Sequence, residues 1–146
     1  MDDNFLLQRF VDAQDRGDTY QEALRELRDG RKRGHWMWFI FPQVAGLGRS
    51  PTAQHFAISG QPEAEAYLAH PVLGARLIEC ATALTELSGT DAVAVFGPVD
   101  AQKLQSSMTL FARADPEQPV FRGVLDQYFG GSLDEGTTSR LPAPGR

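Results

Sequence analysis

The chain has 146 residues, of which 42% are hydrophobic and 23% charged, and this fits one globular domain with a core of its own. Its formal net charge of −5 argues against general nucleic-acid binding, which needs a broad basic surface. No apolar run reaches the roughly 18 residues of a membrane helix, and the acidic start MDDNFLLQRF does not resemble a signal peptide. With a single cysteine, Cys80, an internal disulfide is excluded, and we expect a cytoplasmic protein.

The charge is unevenly distributed along the chain. Residues 1–29 carry eight acids and four bases, whereas residues 30–62 carry four bases and no acid. A local basic segment in an acidic chain suits a small anion or an acidic partner protein. A solvated turn is the alternative interpretation.

The hydrophobic pattern predicts helices separated by turns that contain Gly and Pro. Apolar residues recur at helical spacing over residues 3–14. A second helix begins at Thr19, which forms a capping-box spacing with Glu22. The segment HWMWFIF, residues 35–41, predicts a short helix or buried turn that ends at Pro42. Further helices are predicted at about residues 51–58, 62–68, 71–87, 99–114 and 117–129.

These elements predict an all-α fold, an irregular bundle of about seven short helices in a single domain over residues 1–131. From Ser132 the chain is rich in Gly, Ser, Thr and Pro. Such a composition predicts a flexible C-terminal tail over residues 132–146.

A glycine-rich turn is one candidate for ligand binding. Gly46 and Gly48 would let backbone approach a ligand closely. Arg49 adds a positive charge, and Ser50 before Pro51 predicts a helix N-terminus, where anions are favoured. The turn is neither a P-loop nor a dinucleotide fingerprint, and a purely structural turn is the alternative.

The aromatic segment beside the basic run is the second candidate. His35 could act as acid or base, and Trp36 and Trp38 could form a wall on which a planar ring stacks. Lys32 and Gln43 flank them and complete the predicted wall. In the alternative interpretation these aromatics only fill the core.

The predicted helix over residues 99–114 is the third candidate. Lys103, Ser106 and Ser107 share one face, and Lys103 is suited to electrostatic stabilisation of an anion. The order is the reverse of an acylating SxxK motif, and serines that bond to their own helix are the alternative. No spacing of His or Cys predicts a metal site, and no cofactor is expected.

The strings HWMWFIFPQ and KLQSSMTLF resemble a bacterial family of short cytosolic proteins known only as a domain of unknown function, some of whose members carry the label calpastatin. The resemblance covers roughly residues 4–133. It implies a mainly helical fold and brings no activity, substrate or catalytic residue. The calpastatin label does not fit, because calpastatins are disordered and this chain has the composition of a folded domain.

A looser similarity points to helical proteins that act on ADP-ribose or on N-glycosidic nucleotide derivatives. In those proteins an early helix and a later aromatic, glycine-rich loop line the site. Residues 10–14 and 38–48 parallel these two elements here. The WG-DG-x-G loop of those proteins and a clear catalytic acid are missing.

Together these features predict one pocket that binds a small anionic ligand with a planar part, of nucleotide origin. If the protein is an enzyme, His35 and Lys103 are the predicted catalytic residues. The alternative is a non-catalytic protein-interaction domain in which the aromatic segment is core. The two differ in whether Trp36, Trp38 and Lys103 converge on one cleft, and the oligomeric state stays open.

Overall fold

Nine helices make up the regular structure of residues 5–142, the part of the chain that the computed structural model describes. They are α1 Gln8–Asp15, α2 Thr19–Asp29, α3 Met37–Ile40, α4 Pro51–His55, α5 Gln61–Ala69, α6 Leu73–Thr85, α7 Ala92–Ala114, α8 Pro119–Phe129 and α9 Glu135–Thr138. Extended pairing in these residues is limited to an isolated parallel bridge between Val44 and Ile58. The all-α prediction is therefore confirmed. None of the helices in this region is both long and apolar enough to cross a membrane.

Glycine, serine and proline residues in the turns determine where the helices end and begin. At the end of α2, Gly30 has φ 74°, a left-handed conformation that glycine adopts without steric cost. At the start of α4, the Ser50 hydroxyl accepts a hydrogen bond from Ala53 N at 3.1 Å, and Pro51 occupies the first turn. Both features stop the chain from running on as one long helix.

The longest helix, α7, is interrupted. At Gly97 the backbone takes φ 80° and ψ 165°, and Pro98 follows inside the helix, where it cannot donate a hydrogen bond. The carbonyl of Val95, just before this break, accepts instead from the Lys32 amide at 2.8 Å. The break thereby ties the loop after α2 to α7.

The core lies between α5, α6, α7 and α8, which pack on one another. Tyr67, Phe111 and Phe121 are fully buried, with ring centroids 5.3 and 5.9 Å apart in succession. Aromatic burial of this size contributes a large share of the stabilising apolar area. This packing fixes α7 in place, so the residues that follow Pro98 can hold their side chains in defined positions.

The first helix is shorter than predicted, because it begins at Gln8. Leu6 has φ 54°, which a helix does not allow. Arg9 anchors the region, since its guanidinium donates to four backbone carbonyl oxygens and forms an ion pair with Glu63 at 2.9 Å. Every end of this guanidinium is therefore engaged in structure.

The segment predicted as a flexible tail is packed against the domain as far as residue 142. It contains α9, which contacts α7, and Thr137 is fully buried. Asp134 caps α9 by accepting from Thr137 N at 3.0 Å. Its own amide donates to Thr109 Oγ1 on α7, also at 3.0 Å.

This difference has a plain physical reason. Asp134 supplies the cap of α9, and the Ser, Thr and Gly residues that were predicted as a flexible tail supply small side chains for close packing. Residues 143–146, also part of the predicted tail, lie outside the described residues.

Candidate functional site

A cavity of about 370 Å³ opens where the second half of α7 faces the glycine-rich turn and α9. We call it the α7 cavity. It is lined by Gln43, Leu47, Gly48, Val99, Gln102, Lys103, Ser106, Asp134 and Gly136. Four of these residues, Gln43, Gly48, Lys103 and Ser106, are among those that the sequence singled out. The fold therefore brings parts of all three predicted candidate segments to one place.

The ammonium of Lys103 is held in position at this cavity. Its Nζ lies 3.5 Å from an Asp100 carboxylate oxygen and 4.9 Å from the centroid of the Trp38 ring, over the ring. The side chain is 23% exposed. A cation between a carboxylate and an aromatic face is stabilised from both. One face of Trp38 is covered by the lysine and is not open for a planar ligand.

Lys32 forms an ion pair with the same carboxylate as Lys103. Its Nζ lies 2.8 Å from the other oxygen of Asp100, and the side chain is only 9% exposed. The same ammonium sits 5.0 Å from the Trp36 ring centroid. The two ammoniums share the Asp100 carboxylate, one at each of its oxygens. Lys32 does not itself line the cavity.

Trp36 belongs to the core and not to a ligand wall. It is 2% exposed, and its ring packs against Phe41 and Phe96 at centroid distances of 6.4 and 6.5 Å. Here the structure corrects the prediction of two stacking tryptophans. The alternative interpretation, in which the aromatics fill the core, describes Trp36.

Glu26 was not singled out in the sequence, and neither were Asp100 and Asp134. One of the Glu26 carboxylate oxygens accepts from Arg33 N at 2.8 Å, Gly34 N at 2.9 Å and Trp36 Nε1 at 2.9 Å. Partial burial opposes ionisation, but these hydrogen bonds and the Lys32 charge outweigh it and lower the pKa of Glu26. In the sequence Glu26 looks like a solvated residue on the surface of α2, and no spacing rule reveals hydrogen bonds to a loop backbone.

His35 lies away from Lys103. Its side chain is exposed and lines a different cavity, an open groove of about 640 Å³ along α1. We call this the α1 groove. Its lining residues are Arg9, Asp12, Ala13, Arg16, Thr19, His35, Phe39, His55 and Phe56. The prediction of one site with both His35 and Lys103 is corrected, because Trp36 turns into the core and leaves its neighbour facing out.

Four further predicted site residues do not line the α7 cavity. Gly46 has φ 99°, and its carbonyl accepts from Arg140 at 3.4 Å. Arg49 is exposed, and the Ser50 hydroxyl is used as the cap of α4. Ser107 points away from the cavity, because one helical step turns it from the direction of Ser106. It is fully buried, and its hydroxyl has no hydrogen-bond partner in the described part of the chain.

Neither a metal nor a reactive thiol is indicated by the described residues. Between residues 5 and 142 no group of three or more His, Cys, Asp or Glu is placed to hold a metal ion. Burial raises the pKa of the Cys80 thiol to about 12, so this thiol is neutral near pH 7 and unreactive.

Comparison with known proteins adds a family and a fold. The family model described as "protein of unknown function (DUF1810)" matches residues 4–141. The chain is 50% identical to the conserved hypothetical protein Rv1873 from Mycobacterium tuberculosis, known from a crystal structure at 1.38 Å. The two structures agree with a TM-score of 0.92 over 95% of this chain and 98% of that chain. No curated protein matches the chain.

Proposed function

The chain belongs to the DUF1810 family of proteins of unknown function, and we propose that its α7 cavity binds a small anionic ligand of nucleotide origin, a phosphorylated sugar. The observation that carries this proposal is the position of Lys103. Its ammonium is oriented by Asp100 and Trp38 at the wall of a cavity. A pre-positioned cation loses little freedom when it binds an anion.

The rest of the lining suits hydroxyl groups. The side-chain amides of Gln43 and Gln102 have no hydrogen-bond partner within residues 5–142, and an amide can both donate and accept. Gly48 and Gly136 carry no side chain and leave room for a sugar ring close to the backbone. The lining contains no aromatic side chain, so the planar part of the predicted ligand finds no partner there.

The size of the cavity narrows the ligand class. A volume of about 370 Å³ lies near the lower end of the roughly 300–1,000 Å³ that small-molecule sites span. A monosaccharide phosphate fits such a volume, whereas a dinucleotide does not. The cavity is therefore matched to the ribose phosphate part of a nucleotide.

Lys103 has the role of anion binding in this proposal. His35 is not available as a partner acid or base, because it lines the α1 groove. One Asp134 oxygen is engaged by Ser106 at 3.1 Å and by Thr137. We therefore propose ligand binding and assign no general base.

Cys80 is buried and forms no disulfide, which is consistent with a protein that acts in a reducing cytosol.

Isothermal titration calorimetry with ribose 5-phosphate tests the proposal. We expect saturable binding that Lys103→Met weakens at least about tenfold, or about 1.4 kcal/mol. Methionine keeps an apolar stem over Trp38 while it removes the charge. Arg25→Met is the matched control, because Arg25 is exposed on α2 and outside the cavity. Free ribose should bind more weakly than its phosphate.

Two results would contradict the proposal: no saturable heat with ribose 5-phosphate, or equal affinities for the wild type and Lys103→Met. Circular dichroism of each variant checks that the fold is intact. The second candidate function, a non-catalytic protein-interaction domain, is favoured by the burial of Trp36 and Phe41. Failure of ligand binding would leave that candidate in place.

A further inference from the structure

The α1 groove contains three side chains that the fold does not use. Arg16, His35 and His55 are exposed and line the groove. Within residues 5–142 none of the three makes a side-chain hydrogen bond or ion pair, and His55 has only a ring contact with Phe56. Their neighbour Arg9 is by contrast fully engaged. The fold therefore leaves a guanidinium and two imidazoles at one groove.

The floor of the same groove is aromatic. Phe39 and Phe56 are half-buried, with ring centroids 5.3 Å apart and planes tilted by 53°. The His55 ring meets Phe56 edge-on at 4.6 Å. Partly exposed aromatic faces of this kind stack on heterocyclic bases, and such stacking tolerates any base.

One acid completes the lining. Asp12 is exposed, and one of its carboxylate oxygens accepts from Gln8 Nε2 at 2.9 Å. A carboxylate beside cationic groups suits a ligand that carries hydroxyl groups as well as an anion. The volume of about 640 Å³ is larger than that of the α7 cavity and lies within the range of small-molecule sites.

We propose that the α1 groove is a second ligand site, which binds a mononucleotide. Arg16 holds the phosphate, with the imidazoles of His35 and His55 as further donors, because a guanidinium matches the geometry of phosphate oxygens. The base packs against Phe39 and Phe56, with its face on one ring and its edge towards the other, because the two ring planes are tilted by 53°. Asp12 accepts from the ribose hydroxyls. The two sites share no lining residue, so this proposal does not rest on ligand binding in the α7 cavity.

The three histidines of the chain provide a direct measurement. In a proton NMR titration with AMP, the ring Cε1–H signals of His35 and His55 should shift saturably. His70 is an internal reference, since its Nδ1 accepts from Val72 N and Leu73 N as a helix cap and it is absent from the groove. His35→Asn and His55→Asn assign the signals.

Arg16→Gln should weaken AMP binding at least about tenfold. It should not disturb the fold, because the exposed Arg16 side chain makes no hydrogen bond or ion pair within residues 5–142. Arg25→Gln removes an exposed charge on α2 that lies outside the groove, and it should leave AMP binding unchanged. AMP should also bind more tightly than either adenosine or inorganic phosphate alone.

Three results would each overturn the proposal. The first is no saturable shift of His35 or His55 with AMP up to about 10 mM, and the second is equal affinity of the wild type and Arg16→Gln. The third is binding of phosphate alone as tight as that of AMP. Lys103→Met should leave the AMP titration unchanged and Arg16→Gln the ribose 5-phosphate titration, so failure of one site is distinguished from failure of the other.

Discussion

Single residues determine how the loop after α2 enters the core, and Glu26 is one of them. One oxygen of its carboxylate accepts hydrogen bonds from two backbone amides and from the Trp36 indole. Three donors that converge on one oxygen fix both the loop and the direction of the indole. A side chain on the surface of a helix thereby orients a core aromatic.

We expect Glu26→Ala to lower the free energy of unfolding by about 2 kcal/mol, because it leaves these donors without a partner. Urea denaturation measures the change. Native tryptophan emission should also move to longer wavelength as water reaches Trp36. Gln21→Ala, an exposed position on the same helix, is the control. Equal stability of Glu26→Ala and wild type would contradict the assigned role.

The pKa of Glu26 gives a pH dependence with a definite sign. Its pKa is lowered in the folded protein, so the ionised form stabilises the fold at pH values above the ordinary glutamate pKa of about 4.3. That contribution is lost as the pH falls through this value towards the lowered one. The stability difference between wild type and Glu26→Gln should therefore shrink below about pH 4, as measured by urea denaturation at pH 7, 5 and 3.5. A difference that stays constant over this range would argue against it.

Residue chemistry also explains which of the residues that line the α7 cavity could be predicted. Lys103, Ser106, Gln43 and Gly48 could be chosen from the sequence because a polar helix face and a glycine turn are local features. The direction of Trp36 could not, because neighbours distant in sequence decide which side of a short helix becomes core. The same tertiary decision separates His35 from Lys103.

Among the helices, α9 is one that the composition of its segment did not predict. Asp134 both caps this helix and accepts from Ser106 across to α7. Asp134 and Gly136 line the α7 cavity. A four-residue helix is not stable alone, so its cap and its contacts with α7 hold it in place.

We expect Asp134→Ala to lower the free energy of unfolding by about 1 kcal/mol, the usual cost of losing a helix N-cap. Asp134→Asn should keep most of the stability, because asparagine caps helices about as well. Thermal and urea denaturation of the pair measure this difference. Equal losses in the two variants would mean that the charge, and not the cap, matters.

For the whole molecule, the sequence was sufficient to predict the class and most helices. Apolar periodicity predicted α2, α6 and α8 well, and Ser50-Pro51 marked the start of α4. The sequence could not predict that residues 92–97 and 98–114 form one interrupted helix, α7. The pair Gly97-Pro98 is a strong helix-breaking signal and predicts that a helix ends there. Both segments belong to α7, which packs against α5 and α8.

The hydrogen bond from Lys32 N to Val95 O has a consequence for amide hydrogen exchange. Lys32 lies in an irregular loop, where amides normally exchange within seconds to minutes. Because its acceptor belongs to α7, its exchange should slow to the rate of α7 itself. Glu26→Ala should speed exchange at Arg33 and Gly34, whose acceptor it removes, and leave Lys32 slow. Equally fast exchange at Lys32 would show that the loop opens without α7, and the loop amides thus report separately on α2 and on α7.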